Sequence, residues 1–123
     1  MSTDGTPSTS APAKIGNVQY PVGDVPAAVS FYEDVFSLTT LFVDGDRYAA
    51  LDAGGAKLAL AGKEEKLVEV PSASFKVADI DRALELAVAA GGETVLGPVD
   101  GPHERRAVAR DPWGNLFIVY QPL

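Results

Sequence analysis

One histidine and no cysteine leave this 123-residue chain few routes to chemistry. Without cysteine there is no disulfide, no thiolate nucleophile and no thiolate ligand for a metal. A single imidazole cannot supply the His pair common in zinc sites, so any metal would lean on carboxylates. His103 lies in Gly101-Pro102-His103-Glu104. As a general base it would need an orienting partner, and without one the reading that fits best is an exposed loop residue. Arg105, Arg106 and Arg110 cluster in one segment. They could grip an anionic group, but ordinary surface ion pairs account for them better. The other candidates are neutral or weakly basic: Asn17, Gln19, Tyr48, Ser72, Ser74, Lys76 and Tyr120. Such amides, hydroxyls and phenols orient small organic molecules by hydrogen bonding. Trp113 offers a ring for stacking on a planar ligand, or equally for shielding the hairpin of its own turn.

These side chains must be held by repeated elements. Val22-Gly23-Asp24-Val25 returns as Val77-Ala78-Asp79-Ile80, 55 residues later. Val25, Ala28, Val29 and Tyr32 match Ile80, Ala83, Leu84 and Ala87, and both sets follow the i, i+3, i+4, i+7 stripe of an amphipathic helix. Asp24 and Asp79 stand where an N-cap carboxylate belongs. Gly91-Gly92 ends the second helix, and the first ends near Ser37 without a glycine. A strand with period-two alternation precedes each helix, around Val18–Val22 and Ala73–Val77. Three short strands follow each: Thr39–Val43, Tyr48–Ala53 and Lys57–Ala61, then Glu93–Leu96, Arg105–Arg110 and Leu116–Gln121. Gly97–Glu104 reads as a loop, and Asp111-Pro112-Trp113-Gly114 as a type I turn. The order is β-α-β-β-β twice, an α+β fold of two tandem βαβββ modules. By strand parity, Asn17, Gln19, Ser72, Ser74, Lys76, Ile118 and Tyr120 share the face away from the helices, with Tyr48 beside them. That face is the candidate ligand-binding surface.

Residues 1–13 contain eight Ser, Thr or Pro and read as a disordered tail. Modules at 14–62 and 72–123 flank a charged, exposed linker at 63–71, all within one structural domain at 14–123. The net charge of −7 argues against nucleic acid or an anionic membrane as partner and favours a cationic small molecule, although solubility explains it as well. No apolar run spans a bilayer, and no basic, apolar leader opens the chain, so a cytoplasmic protein is expected.

The chain resembles the vicinal oxygen chelate superfamily, the glyoxalase/bleomycin resistance/dioxygenase group. The resemblance spans residues 14–123 and rests on Val22-Gly23-Asp24-Val25 with Ala28 and Phe31-Tyr32, and on Asp111-Pro112-Trp113-Gly114-Asn115. It implies curved, antiparallel-rich sheets around a cavity, frequent homodimers, and a divalent metal held by inner-strand side chains as a Lewis acid. The positions matching those ligands carry Asn17, Ser72 and Ile118, and neither an amide, a hydroxyl nor an alkyl group holds a divalent ion well. The resemblance therefore implies a member with no metal and no other cofactor. The leading expectation is a binding protein for a small organic molecule, as in drug or metabolite sequestration. The rival is an enzyme of the same superfamily (lyase, isomerase or dioxygenase-like) working through Asn, Ser, Tyr or Lys side chains.

Overall fold

A computed structural model describes residues 12–123. Residues 1–11 of the expected tail lie outside the described residues, and Pro12 and Ala13 are exposed and irregular. The first unit comprises β1 (Lys14–Pro21), α1 (Val25–Phe36), β2 (Thr39–Asp44), β3 (Tyr48–Ala53) and β4 (Ala56–Ala61). The second comprises β5 (Ser72–Lys76), α2 (Ile80–Ala89), β6 (Glu93–Asp100), β7 (Glu104–Arg110) and β8 (Leu116–Pro122). The repeat in the sequence is thus a repeat of βαβββ.

Both helices begin by the same device. Asp24 accepts a hydrogen bond from Ala27 N at 3.0 Å, and Asp79 from Arg82 N at 3.1 Å. A second acceptor from the sheet side takes the first helical N–H in each case: Asp46 Oδ1 for Val25 N at 2.9 Å, Gln121 Oε1 for Ile80 N at 2.8 Å. Two of the free N–H groups at each helix start are satisfied in this way. α1 ends with Ser37 in the left-handed region, its N–H donating to Glu33 O. Past α2, Gly91 takes that conformation at φ +99, which costs a glycine little.

The strands form one eight-stranded sheet in the order β2-β3-β4-β1-β5-β8-β7-β6. β1 pairs parallel with β4 and β5 parallel with β8, and the two units join through an antiparallel β1–β5 ladder. Each helix covers its own half on one face. Val25 and Val29 pack with Ala49, Leu51 and Leu60; Ile80 and Leu84 pack with Ala107, Ala109 and Val119. The opposite face is concave: residues of β2 and residues 101–103, from opposite ends of the sheet, line one cavity. Among the described residues, no helix is long and apolar enough to cross a membrane.

Two segments differ from expectation. The strand expected at Glu93–Leu96 continues to Asp100, through a cis Gly97–Pro98 peptide bond and two register shifts. β6 is an edge strand, so the proline breaks no inner ladder. The linker at 63–71 is charged but only partly exposed. Val68 is 3% exposed and packs with Val108 and Ile118 on the concave face, with Leu67 and Leu116 against them. Leu67 N donates to Gln19 Oε1 at 3.2 Å. The linker is a strap lying inside the curve of the sheet. Leu67 and Val68 turn inward, which apolar burial favours, while Lys63, Glu64 and Glu69 stay exposed and Glu65 and Lys66 are half-buried in ion pairs.

Candidate functional site

The concave face holds a cavity of about 470 Å³. Its floor follows from strand parity. β1 presents Asn17 and Gln19 inward, β5 presents Ser74, and β8 presents Ile118 and Tyr120. Asn17 stands directly opposite Ser74, and Ser74 opposite Ile118, so the three form one row across adjacent strands. On the next row Tyr120 stands opposite Arg106 of β7. Tyr48 enters from β3, its ring stacked on Phe42 with centroids 5.8 Å apart.

Glycine shapes the floor at one point. β1 shifts register between Ile15 and Asn17, which makes Gly16 a bulge. A Cβ there would overlap the Tyr120 hydroxyl and stand 2.7 Å from Tyr120 Cζ. Tyr120 therefore reaches from β8 across β5 to rest on the bare backbone of Gly16.

Charged groups form the mouth. Arg47 is hydrogen-bonded to Glu65 of the strap and lies 3.6 Å from Asp44. Arg106 Nη1 lies 3.8 Å from Glu65 Oε2 and 3.9 Å from Glu104 Oε2. These five residues tie the first unit, the strap and the second unit together. At those last distances Arg106 makes ion pairs without hydrogen bonds. Among the described residues, two buried side-chain polar atoms lack any partner, Arg106 Nε and Asn17 Oδ1. Native proteins leave few such atoms, and each calls for an explanation.

The tyrosines respond to this setting. Burial, then the charge of Glu104 and the neighbouring Tyr120, push the Tyr48 phenol up to about 12, against a lowering by Arg106. Burial and Glu104 push Tyr120 up as well. Both are therefore neutral phenols at physiological pH, able to donate a hydrogen bond and poorly suited to remove a proton.

Of the residues singled out by sequence, Asn17, Gln19, Tyr48, Ser74, Ile118 and Tyr120 line the cavity. Three do not. Ser72 has the inward parity, but it donates its hydroxyl to Val70 O at 2.9 Å and is buried at the strap. Opposite Asn17 on β5 stands Ser74, so Ser72 is only the diagonal neighbour. Lys76 pairs with Tyr120 in the ladder, and the Tyr120 ring lying across β5 stands between it and the cavity. Trp113 is 83% exposed, in a turn held by Asp111, which accepts from Trp113 N and Asn115 N, each at 2.9 Å. His103 is an exposed loop residue, as expected, and stands at the mouth. Arg106 was expected on the surface, and Arg47 and Glu65 drew no attention. Arg106 alone carried a legible signal, since its parity in β7 matches that of the buried Val108. Arg47 and Glu65 reach the site from a turn and the strap, where no periodicity applies.

A divalent metal would meet an amide, a hydroxyl and an alkyl group in the row Asn17, Ser74, Ile118, which is not a ligand set. Among the described residues, no group of three or more His, Cys, Asp or Glu is arranged to hold a metal ion. The group does not fit these residues, and no chemistry is derived through one.

Paired βαβββ units around one concave cavity define a class, and the comparisons agree with it. The model of the Glyoxalase/Bleomycin resistance protein/Dioxygenase superfamily matches residues 14–119, and the chain belongs to that superfamily. An uncharacterised protein of Mycolicibacterium smegmatis is 42% identical over 100 residues, covering 78% of this chain and 83% of its own. A putative glyoxylase, CFP32, of Mycobacterium bovis is 36% identical over 102 residues; the match covers 77% of this chain and 39% of that longer protein. Among solved structures, one titled as an NAD-dependent benzaldehyde dehydrogenase from Legionella pneumophila superposes with a TM-score of 0.74 at 16% identity, over 86% of this chain and 97% of that one. This last likeness is one of fold.

Proposed function

We propose that the protein binds a small organic molecule in the concave cavity without a metal ion, as a sequestering or carrier protein of its superfamily. One observation carries this reading. The row Asn17, Ser74, Ile118 sits on the floor of a cavity of about 470 Å³, large enough for a drug-sized ligand, and offers hydrogen bonds and apolar contact in place of metal ligands. The overall charge of −7 would draw a cationic molecule toward the chain. The reading includes a homodimer, supported by the exposure of Leu41, Phe42 and Val43 along β2, an edge strand beside the cavity.

Catalysis by side chains alone has less support. Lys76 is walled off, Tyr48 is a poor base, and Ser74 has no base hydrogen-bonded to it among the described residues. The reading is tested by native mass spectrometry of the purified protein against a metabolite extract, with and without EDTA. An unchanged small molecule retained equally in both conditions supports it. Retention that EDTA abolishes, or a ligand released with altered mass, refutes it.

A further inference from the structure

The charges at the mouth of the cavity alternate along one line. Asp44 Oδ2 stands 3.6 Å from Arg47 Nε, and Arg47 is hydrogen-bonded to Glu65. Glu65 Oε2 stands 3.8 Å from Arg106 Nη1, which stands 3.9 Å from Glu104 Oε2. All five residues line the one cavity. Among the described residues, each inner member of the line has two partners of opposite charge, and Asp44 and Glu104 at its ends have one each. Three carboxylates face two guanidiniums, so the line is one cation short of balance.

Its two ends are not alike. The Asp44 side chain is 65% exposed, where water and salt screen a charge. The Glu104 side chain is 35% exposed, and at 3.9 Å its partner Arg106 makes no hydrogen bond to it. A carboxylate so placed gains more from a counter-ion than an exposed one does. Aromatic rings surround it. Arg106 stands opposite Tyr120 and Glu104 opposite Pro122, which makes Glu104 the diagonal neighbour of Tyr120 on the concave face. Its charge also reaches Tyr48 on the first unit, where it ranks next to burial in holding the phenol proton. Phe42 stacks on Tyr48 and extends that wall. Aromatic faces attract a cation as a carboxylate does, whereas an anion would meet the excess of negative charge. A small inorganic ion would leave most of a cavity of about 470 Å³ unfilled and make no use of the aromatic wall.

We infer that the cavity seats a flat organic monocation, its charged group paired with Glu104 and its ring against Tyr48 and Phe42. This names the ligand class for the binding reading above and rests on it. Glu104 sets the preference for positive charge, and Asp44 contributes only to long-range attraction. Benzamidinium, benzamide and benzoate are close in shape and differ in charge. Each is titrated at millimolar concentration into 15N-labelled protein at low salt and about pH 8, where an ordinary imidazole carries no charge. Amide shifts are followed in β3, β7 and β8. Benzamidinium should bind about tenfold tighter than benzamide, the low end of what a charge-assisted hydrogen bond supplies, because Glu104 is partly exposed. Benzoate should bind weakest. Glu104→Gln keeps the shape and removes the charge; it should erase the preference for benzamidinium and leave the affinity for benzamide as it was. Asp44→Asn should reduce the preference by no more than about twofold. The tyrosinate absorbance of free Glu104→Gln should rise at lower pH than that of wild type, because the field on Tyr48 is weaker; an unmoved curve would put the carboxylate outside the cavity and overturn the inference. If benzoate binds tightest, if the three probes bind alike, or if Glu104→Gln keeps the preference, the inferred ligand class is wrong while the cavity remains a binding site. If no probe moves any amide of the three strands, the inference and the binding reading fall together.

Discussion

Raising the pH above the ordinary tyrosine range singles out one side chain. Tyr48 in the folded protein holds its proton to about 12, whereas an unperturbed tyrosine loses it at 10.0. Burial is the main cause, with Glu104 next. In the unfolded chain both causes vanish, so between those two values the folded state binds more protons than the unfolded state. Stability must then fall as pH rises, and the part due to Tyr48 is fully present below pH 10 and gone above pH 12. Two pH units correspond to about 3 kcal/mol; because Tyr48 is only partly shielded from solvent, screening trims this to about 2 kcal/mol. Tyr48→Phe removes the titration and keeps the ring on Phe42. Urea unfolding of both proteins at intervals between about pH 8 and pH 12 measures the loss, with the slope against urea checked for constancy. Wild type should lose about 2 kcal/mol more than Tyr48→Phe across that range. Two parallel curves would mean that the phenol is hydrated in the folded state, and the account of a closed cavity wall at Tyr48 would be refuted.

Three further outcomes follow from packing and register. Gly16→Ala drives a methyl group into Tyr120, so it should destabilise by about 1–3 kcal/mol in urea unfolding; an unchanged midpoint would show that Tyr120 does not rest on β1. Val68→Ala should cost about 2 kcal/mol because the strap is anchored in the interior, whereas a change under about 0.5 kcal/mol would return the segment to the surface. The triple variant Asn17→His, Ser74→His, Ile118→Glu should gain a zinc-dependent rise in melting temperature, since a ligand that binds only the folded state stabilises it. The same variant built with Ser72→His in place of Ser74→His should gain much less, and equal gains would contradict the row Asn17, Ser74, Ile118.

The architecture was legible because it is written in periodicities. Alternation along β1 and β5 separates Asn17, Gln19 and Ser74 from Val18, Tyr20 and Phe75, and the structure puts those two sets on opposite faces of the sheet. The helical stripes at Val25 and Ile80 were equally plain, and both are fully buried. The site was legible only where a strand carries it. Ser72 and Lys76 have the same parity as Ser74, and what removes them is tertiary: a strap over one, a tyrosine ring across the other. Trp113 belongs to a turn whose own hydrogen bonds settle its place. Arg47, Glu65 and Arg106 meet only once the sheet has curved and the strap has folded inward. No local pattern encodes a meeting of residues so far apart in the chain.

The strap also bears on how two such units share a sheet. Tandem copies joined by a free linker can exchange partners, the second unit of one chain pairing with the first unit of another. Here the connection between β4 and β5 is held from inside: Val68 is buried against Val108 and Ile118 of the second unit, and Leu67 N is bonded to Gln19 of the first. Exchange would require drawing that segment out of the cavity, exposing its apolar side chains and stranding the amide of Gln19. The same nine residues that narrow the concave cavity therefore act as a lock against domain swapping, and lengthening them would loosen both at once.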